Sequence, residues 1–382
     1  MLGRRGAAAI AAAAFFVVSA IAACPARAGP ASSSTGDSAQ GGSQLASPGV
    51  VVNYPAGKLL KLPNVKAGAF VVANADTGQV LAAKDAHGWY RPASTLKVLT
   101  AITLIPLLDP DATTVASKQA AGTEPNDVGL IAGRSYKIAS LFTALLTISA
   151  NDAAVALAQA TGSFSKGMAL INDEARELQA DDTVAVEPNG LDAPGQRTSA
   201  YDEALFARRA LQIPAFLAYD RTLAARFERK PKKWVTLVNQ NLMLTDYSGD
   251  IGGKLGWTSA AGATYMGMAK RNGVTLIVTL LHCPPLTEFK SAAKLLNWGF
   301  AVNDKVKPVG TLAGPLPPPA PHTPKPKPKP KPDRVAAARA ITSGSFPYGP
   351  VAVGVGFLLL FTLIVTGFVV YYSRRKPVSP GR

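Results

Sequence analysis

The sequence predicts an α/β fold of the α+β kind, with an antiparallel sheet flanked by helices and an all-helical subregion. Residues 70–82 contain two apolar runs on either side of an Asp-Thr-Gly turn, and residues 264–281 contain two more joined by Asn-Gly. Both patterns are typical of β-hairpins. From Ser94 onward, apolar residues recur at helical spacing. Since strands lie at both ends of this region, we expect one sheet of early and late strands that encloses a helical middle.

The predicted helices are bounded by breakers and turn residues. The first follows Ser94 and ends near Pro106, because proline interrupts a helix interior. A polar Ser-Ala-Asn turn interrupts the second, and Ser149 is expected to cap the helix that resumes at Asn151. The remaining predicted helical stretches cover 141–160 (with that interruption), 168–178 and 289–296.

Ser94 and Lys97 form the pattern most indicative of chemistry. Three residues apart on a helix, their side chains share one face. A serine hydroxyl is a poor nucleophile unless a neighbouring base takes its proton. Lys97 can be that base only when neutral, which requires a pKa lowered by burial or by other cations. Alone, the pattern is weak, because a capping serine followed by a solvated lysine is common.

Two further elements follow in the order used by serine acyltransferases of the penicillin-binding class: Ser-Ala-Asn at 149–151 and Lys-Leu-Gly-Trp-Thr at 254–258. Glu-Pro-Asn-Gly-Leu-Asp at 187–192 and Thr-Ser-Ala-Tyr-Asp at 198–202 extend the match. Over about 50–309, the chain resembles the low-molecular-mass penicillin-binding proteins, the serine-type D-alanyl-D-alanine carboxypeptidases. The resemblance implies the penicillin-binding/β-lactamase-like transpeptidase fold, peptidoglycan stem peptides as substrate and β-lactam antibiotics as inhibitors.

The resemblance also implies roles for the catalytic residues. Ser94 would attack the carbonyl of the penultimate D-alanine, form an acyl-enzyme and release the terminal D-alanine. Lys97 would take the proton of Ser94, and Ser149 would relay a proton to the leaving amine. Glu187 and Asp202 are alternative general bases, but they lie in stretches that the family uses for structure.

Substrate binding is assigned in the same way to five residues: Asn151, Lys254, Gly256, Trp257 and Thr258. Asn151 would hold the peptide backbone, unless it is only a turn residue. Lys254 would attract the substrate carboxylate and keep Lys97 neutral, unless it is an edge-blocking charge on an exposed strand. The N–H groups of Ser94 and Trp257 would form the oxyanion hole.

Leu255 departs from the family, which has a hydroxyl residue between the lysine and the glycine. Losing a hydrogen bond to a charged group typically costs ~1.5–3 kcal/mol. We expect a Leu255→Thr change to restore that contact, unless Thr258 already makes it and the site has packed around leucine. In that case the new hydroxyl would be buried without a partner.

Three other functions compete with that of a carboxypeptidase. A β-lactamase needs a deacylating carboxylate, and no Glu-x-x-Leu-Asn sequence lies between Ser149 and Lys254. A weakened homologue that binds wall peptide or β-lactam without turnover is motivated by Leu255. A Ser-His-Asp hydrolase is disfavoured, since the chain has no Gly-x-Ser-x-Gly elbow. No His or Cys cluster has metal spacing, so we expect no metal and no other cofactor.

The N-terminus is predicted to be a secretory signal covering 1–28. Two arginines precede an apolar run at 7–23, and Ala-Arg-Ala at 26–28 is a cleavage site. The sequence around Cys24 also resembles a lipoprotein box, although a lipid there would duplicate a membrane anchor elsewhere; an uncleaved anchor is the third alternative. Residues 29–49, rich in Ser, Gly and Ala, are predicted to be a flexible lead.

The C-terminus is predicted to anchor the chain. Residues 351–372 are apolar over a length that can cross a ~30 Å hydrocarbon layer. Three cations at 374–376 place the tail, 373–382, in the cytoplasm by the positive-inside rule. Residues 310–345 are a Pro/Lys-rich stalk, whose Pro-Lys alternation favours an extended polyproline II rod. The catalytic domain, 50–309, is thus expected outside the cell membrane.

Composition constrains the partners. The chain has 382 residues and a formal net charge of +16. The excess positive charge lies largely in the stalk and the membrane-flanking ends, and no basic stripe is interleaved with aromatic residues. Nucleic acid is therefore not expected as a partner, whereas attraction to anionic polymers of the cell surface is expected. If Cys24 leaves with the signal, Cys283 is the only cysteine and no internal disulfide can form; we expect it to be a buried strand thiol. Oligomeric state is not predicted.

The predicted topology can be tested on intact spheroplasts. Added protease should remove the domain at 50–309 and leave the C-terminal span behind, because the stalk and the domain face outward. Immunoblotting against tags at either end of the mature chain follows the two parts. A domain protected from the protease would contradict the extracytoplasmic assignment.

Overall fold

The main sheet combines strands from both ends of the domain, as predicted. A computed structural model of the protein describes residues 39–57 and 59–316. Within them, the sheet runs in the order β1-β3-β2-β10-β9-β8, all neighbours are antiparallel, and β11 adds to β3. The strands are β1 (Val50–Val51), β2 (Ala69–Asn74), β3 (Gln79–Lys84), β4 (Thr113–Val115), β5 (Ser135–Lys137), β6 (Ala224–Lys230), β7 (Lys233–Val238), β8 (Asp250–Thr258), β9 (Gly262–Arg271), β10 (Val274–Cys283) and β11 (Gly310–Thr311).

The helices lie mostly between β3 and β8 in the chain, which confirms the predicted helical middle. They are α1 (Leu96–Leu104), α2 (Lys118–Ala121), α3 (Ile138–Thr147), α4 (Asn151–Ala160), α5 (Phe164–Glu177), α6 (Ala200–Ala210), α7 (Pro214–Asp220), α8 (Met243–Asp246) and α9 (Glu288–Val302). A 3₁₀ turn at Ala93–Thr95 leads into α1. Helix α1 ends two residues before Pro106, and the break between α3 and α4 falls at the Ser-Ala-Asn turn.

Both predicted hairpins are confirmed. Strands β2 and β3 pair with Val72 opposite Ala82. Strands β9 and β10 are joined at Asn272 and Gly273, whose φ angles are 48° and 82°. Two consecutive residues in the left-handed region are what a two-residue hairpin turn requires, and Asn-Gly adopts that conformation most readily.

The sheet separates two apolar clusters because successive strand residues point to opposite faces. Val71 and Ile277 belong to the larger cluster, which includes residues of α1, α3, α4 and α6. Val72 and Val278 belong to the smaller cluster beneath α9. Helix α1 is buried along its whole length, and its polar residues Lys97, Thr100 and Thr103 are buried together with the apolar ones. Ser94 therefore lies in the turn that leads into a helix buried in the core.

The sequence pattern does not predict the hairpin of β6 and β7. Its sequence alternates Arg, Phe, Glu and Arg, and only Phe227 and Leu237 among its strand residues are buried. The charged residues on its outer face hide the period-two apolar pattern that reveals a strand. Arg134 forms an ion pair with Glu228 at 3.4 Å, and Tyr136 donates a hydrogen bond to the backbone carbonyl of Arg229. These contacts hold the hairpin against β5 and the residue that precedes it.

The folded domain extends beyond both predicted boundaries. Leu45, in the predicted flexible lead, is buried, and the carbonyl of Gly41 accepts a hydrogen bond from the Thr311 N–H. At the other end, β11 pairs with β3 and Leu312 is buried, although the stalk was predicted to begin at residue 310. In contrast to the prediction, residues 39–49 and 310–312 are thus structured. Residues 310 and 311 pair with β3, and the segment at 39–49 is held to them by the hydrogen bond between Thr311 and Gly41.

The predicted signal at 1–28, the stalk beyond residue 316, the span at 351–372 and the tail all lie outside the described residues. Among the residues that are described, no helix is both long and apolar enough to cross a bilayer.

Candidate active site

Ser94 and Lys97 meet as the sequence predicts. The Nζ atom of Lys97 lies 2.8 Å from the Oγ atom of Ser94. Lys97 is fully buried, and its amine also donates to the Asn151 side-chain oxygen at 2.7 Å and to the Asn189 backbone carbonyl at 2.6 Å. Both of these partners are pure acceptors. A neutral amine has two N–H groups, so it can serve both and still direct its lone pair at the Ser94 hydroxyl.

Electrostatics favour that neutral form. Burial lowers the pKa of Lys97 well below its ordinary value, and the nearby charge of Lys254 lowers the pKa further. Asp152 opposes the shift as a smaller effect. Its carboxylate is already engaged by the backbone N–H groups of Val128, Gly129 and Leu130. The site thus places a buried lysine, favoured in its neutral form, in contact with the Ser94 hydroxyl.

Asn151 positions Lys97. Besides accepting from the lysine, its side-chain amide donates to the carbonyl of Pro125. The residue is buried at the start of α4. Its predicted contact with the substrate backbone remains a prediction.

Ser149 lies in a strained turn before α4. Its φ is 63°, in the left-handed region that a serine enters only at a cost. Asn126 holds the turn by donating to the carbonyls of Ile148 and Ser149, each at 2.9 Å. The prediction that Ser149 caps α4 is wrong: Ala150 occupies the N-cap position, and the Ser149 hydroxyl is buried with no hydrogen-bond partner among the described residues. The left-handed turn directs the hydroxyl away from the helix N–H groups.

Lys254 is buried, although it lies on the edge strand β8. This excludes its alternative reading as an exposed edge-blocking charge. Its Nζ donates to the carbonyl of Leu255 at 2.8 Å. Burial lowers the pKa of Lys254 to about 8, against the opposing effect of the Asp220 carboxyl. Lys254 is therefore the second cation near Lys97 that the sequence predicts.

Gly256 brings β8 against the nucleophile. A Cβ atom at this position would lie 2.5 Å from the Ser94 backbone nitrogen and 2.6 Å from the Thr264 hydroxyl oxygen. Only glycine permits this approach. Trp257, next in the strand, is 58% exposed, and the Thr258 hydroxyl accepts from the Ala261 N–H at 2.9 Å. Ser94 and the strand predicted to bind substrate are thus in direct contact.

Leu255 packs away from these groups. It is partly buried against the cluster beneath α9, whereas Lys254 and Gly256, its neighbours in the strand, face the other side of the sheet. The packing favours the second of the two expectations for this residue, that the site has accommodated leucine.

Two further residues at the site were missed by sequence reasoning. Asn189 contributes only its backbone carbonyl, which no side-chain pattern reveals. Asp220, at the end of α7, accepts from the Gly253 N–H at 2.7 Å. Burial raises its pKa to about 7, although that hydrogen bond and the charge of Lys254 act against the rise. The only sequence signal was the Gly-Gly pair, since a Cβ atom at Gly252 would lie 2.3 Å from the carboxylate.

The other ionisable candidates do not contact Ser94. Asp202 is fully buried and accepts from the Thr183 hydroxyl at 2.7 Å, and burial raises its pKa to about 8. Burial raises the pKa of Glu187. The two residues after it, Pro188 and Asn189, accept hydrogen bonds from α1 through their backbone carbonyls. Cys283 is the buried strand thiol that was predicted, and burial raises its pKa to about 12. In the described part of the chain, no cluster of three or more His, Cys, Asp or Glu could hold a metal ion.

Comparison with known families decides the classification. The family model of peptidase S11, D-alanyl-D-alanine carboxypeptidase, matches residues 57–284. The chain belongs to this family. It is an S11 serine hydrolase with the antiparallel sheet and helices of the penicillin-binding-protein fold.

Named relatives and solved structures agree. The chain is 38% identical over 264 residues to D-alanyl-D-alanine carboxypeptidase DacB2 of Mycobacterium tuberculosis, a match that covers 68% of this chain and 90% of that protein. It is 32% identical to DacD of Salmonella typhimurium, over 62% of this chain and 63% of the relative. The crystal structure of a D-alanyl-D-alanine carboxypeptidase from M. tuberculosis superposes with a TM-score of 0.64 at 37% identity, covering 68% of this chain and 99% of the other.

Ser149 provides a test that separates chemistry from stability. Because its buried hydroxyl has no partner among the described residues, Ser149→Ala should leave the melting temperature unchanged or raise it. If the hydroxyl relays a proton, acylation by penicillin should slow by at least about a hundredfold. Ser199→Ala is the matched control: its hydroxyl accepts from the Asp202 N–H at the start of α6, and its loss should cost about 1 kcal/mol of stability. Unchanged acylation in S149A would contradict the relay.

Leu255 provides a second test. Its contacts with the apolar cluster lead us to expect that Leu255→Thr lowers the free energy of unfolding by about 1 kcal/mol. We expect no rise in kcat/KM on a D-Ala-D-Ala peptide. An increase of about tenfold that disappears for a C-terminally amidated peptide would show instead that a hydroxyl at this position reaches the carboxylate. Thr258→Val, assayed in parallel, tests whether Thr258 makes that contact.

Proposed function

We propose that this protein removes the terminal D-alanine from peptidoglycan stem peptides through an acyl-enzyme formed on Ser94. The single observation that supports the proposal most strongly is the 2.8 Å contact between Ser94 and a buried lysine of lowered pKa. This pair has the arrangement needed to activate a serine without a histidine. The intact pair also favours turnover over a homologue that only binds.

In the proposed acylation, Lys97 takes the Ser94 proton as the hydroxyl oxygen attacks the carbonyl of the penultimate D-alanine. The N–H groups of Ser94 and Trp257 stabilise the resulting oxyanion; the close approach of Gly256 to the Ser94 nitrogen supports this assignment. Loss of one such donor generally raises the barrier by ~2.7–4 kcal/mol. The C–N bond then breaks, and the leaving amine takes a proton through the Ser149 hydroxyl.

Substrate recognition and deacylation complete the cycle. The Lys254 cation attracts the terminal carboxylate of the peptide during binding and acylation. After the terminal D-alanine has left, water attacks the acyl carbonyl and restores Ser94. Lys97 must be neutral and Lys254 charged for these roles. Acylation should therefore fall as pH drops through the lowered pKa of Lys97 and again as pH rises past about 8, the pKa of Lys254.

We also propose that the enzyme works at the outer face of the cell membrane. The apolar segment at 351–372, followed at once by three cations, supports a single C-terminal span. The stalk between this segment and the domain supports action on wall peptides at some distance from the bilayer. β-Lactams, which form a stable ester with such a serine, are the expected inhibitors.

The acyl-enzyme is tested with a fluorescent penicillin. The wild-type protein should be labelled at Ser94 with one fluorophore per chain, and Ser94→Ala should abolish the label. The label should persist for minutes or longer, because no deacylating carboxylate is evident in the sequence. Measured alongside, release of D-alanine from a D-Ala-D-Ala pentapeptide separates a carboxypeptidase from a β-lactamase and from a non-catalytic binder. Labelling that survives in S94A would rule out the assigned nucleophile.

A further inference from the structure

A buried carboxyl contacts Thr95, the residue that follows Ser94 in the chain. Glu203, on α6, is 1% exposed, and its Oε1 atom lies 2.8 Å from the Oγ1 atom of Thr95. Thr95 is fully buried and follows Ser94 in the chain. The other carboxyl oxygen of Glu203 is buried and has no hydrogen-bond partner among the described residues. None of the roles assigned above uses this residue.

Thr95 has one proton but two apparent acceptors. Its Oγ1 atom lies 2.7 Å from the carbonyl oxygen of Pro92 as well as 2.8 Å from Glu203. A hydroxyl donates once and accepts up to twice. If Glu203 were a carboxylate, both neighbours would compete for one proton. If Glu203 carries a proton, it donates to Thr95, Thr95 donates to Pro92, and both contacts are full hydrogen bonds.

The position of the Pro92 carbonyl shows why the direction of these two hydrogen bonds matters. It belongs to the turn that presents Ser94, and Ala93 in that turn has a left-handed φ of 48°. The Thr264 hydroxyl donates to the same carbonyl at 2.9 Å. Two hydroxyl donors, from Thr95 and Thr264, thus hold a strained backbone segment next to the nucleophile. A carboxylate at Glu203 would draw the Thr95 proton away, because hydrogen bonds to ionised acceptors are stronger.

We propose that Glu203 is a positioning residue, protonated in the working enzyme, which donates to Thr95 and thereby keeps the Thr95 proton on Pro92 and the Ser94 turn in place. This inference rests on the proposed acylation at Ser94. Its chemical content is a chain of hydrogen bonds with one direction, from Glu203 to Thr95 to Pro92, which ends two residues before Ser94, the residue whose N–H is proposed for the oxyanion hole.

The surroundings of Glu203 agree with a neutral carboxyl. Burial raises its pKa to about 8, the Thr95 contact opposes the rise and the charge of Asp202 on the same helix adds to it. The strands against which α6 packs contribute uncharged core residues to that side of the sheet, and Lys97 on α1 is itself favoured in its neutral form. The core residues of those strands include Val71, Met266 and Ile277.

The first test compares penicillin acylation by the wild type and by Glu203→Gln across pH. The glutamine amide donates to Thr95 at every pH. With a pKa of about 8, only about one Glu203 in ten keeps its proton at pH 9. The ratio of the E203Q rate to the wild-type rate should therefore be near one at pH 6.5 and rise to about tenfold at pH 9. Titration of Lys97 and Lys254 affects both proteins and cancels in the ratio.

Two controls accompany this comparison. Glu174→Gln changes a glutamate that pairs with Arg209 away from the site and should leave the pH profile unchanged. Thr95→Val removes the hydroxyl that links Glu203 to Pro92 and should slow acylation at all pH values, whereas Thr95→Ser should restore it. A ratio of E203Q to wild type that stays flat from pH 6.5 to pH 9 would overturn the proposal.

A second measurement does not depend on activity. Infrared spectra at pH 7 should show the carbonyl band of a buried, protonated carboxyl that disappears in E203Q. The wild-type melting temperature should also fall relative to that of E203Q between pH 5 and about 8, because a carboxyl of raised pKa loses its stabilising contribution as pH rises through the folded value. Absence of the infrared band refutes the protonated carboxyl. Absence of penicillin labelling in the wild type refutes the proposed function instead, and leaves the infrared and melting results interpretable.

Discussion

The candidate site depends on one physical constraint: a lysine must be neutral in order to take a proton from serine. Lys97 meets it through complete burial, and its three contacts come from separate parts of the chain. Ser94 belongs to the turn before α1, Asn151 begins α4, and Asn189 lies in the segment before α6. Sealing the amine thus requires the helical subregion and the nucleophile helix to assemble together. The environment that favours a neutral Lys97 therefore exists only in the folded domain.

The choice of partners for Lys97 follows from the same constraint. A carboxylate in hydrogen-bond contact would stabilise the ammonium form and raise its pKa. The direct acceptors are instead an amide and a backbone carbonyl, which hold the amine without favouring its charge. Burial also disfavours the charged forms of the buried acids nearby: it raises the pKa of Asp202 and Glu203 to about 8 and that of Asp220 to about 7.

The features that could be predicted from the sequence are those that depend on short, local patterns. Ser94 and Lys97 are three residues apart on a helix, and the Asn-Gly hairpin is local as well, so neither needs knowledge of the fold. Glu203 and Asp220 could not be found in this way, because each acts across more than thirty residues on a backbone or hydroxyl group. The β6–β7 hairpin was hidden by its charged outer face. The segments at 39–49 and 310–312 look like linker in composition and are ordered only because they pair with each other and with β3.

Ser149 adopts a conformation that lowers the stability of the fold. A residue with left-handed φ and a buried hydroxyl that finds no partner in the described part of the chain is destabilising on both counts. A cap on α4 would have used that hydroxyl, and Asn126 instead holds the turn in a form that prevents it. Since the surrounding contacts maintain this arrangement, the unused hydroxyl is a feature of the fold and not a packing defect. The hydroxyl lies two residues before Asn151, which contacts Lys97, so the relay proposed for Ser149 would give this buried polar atom a partner when the substrate binds.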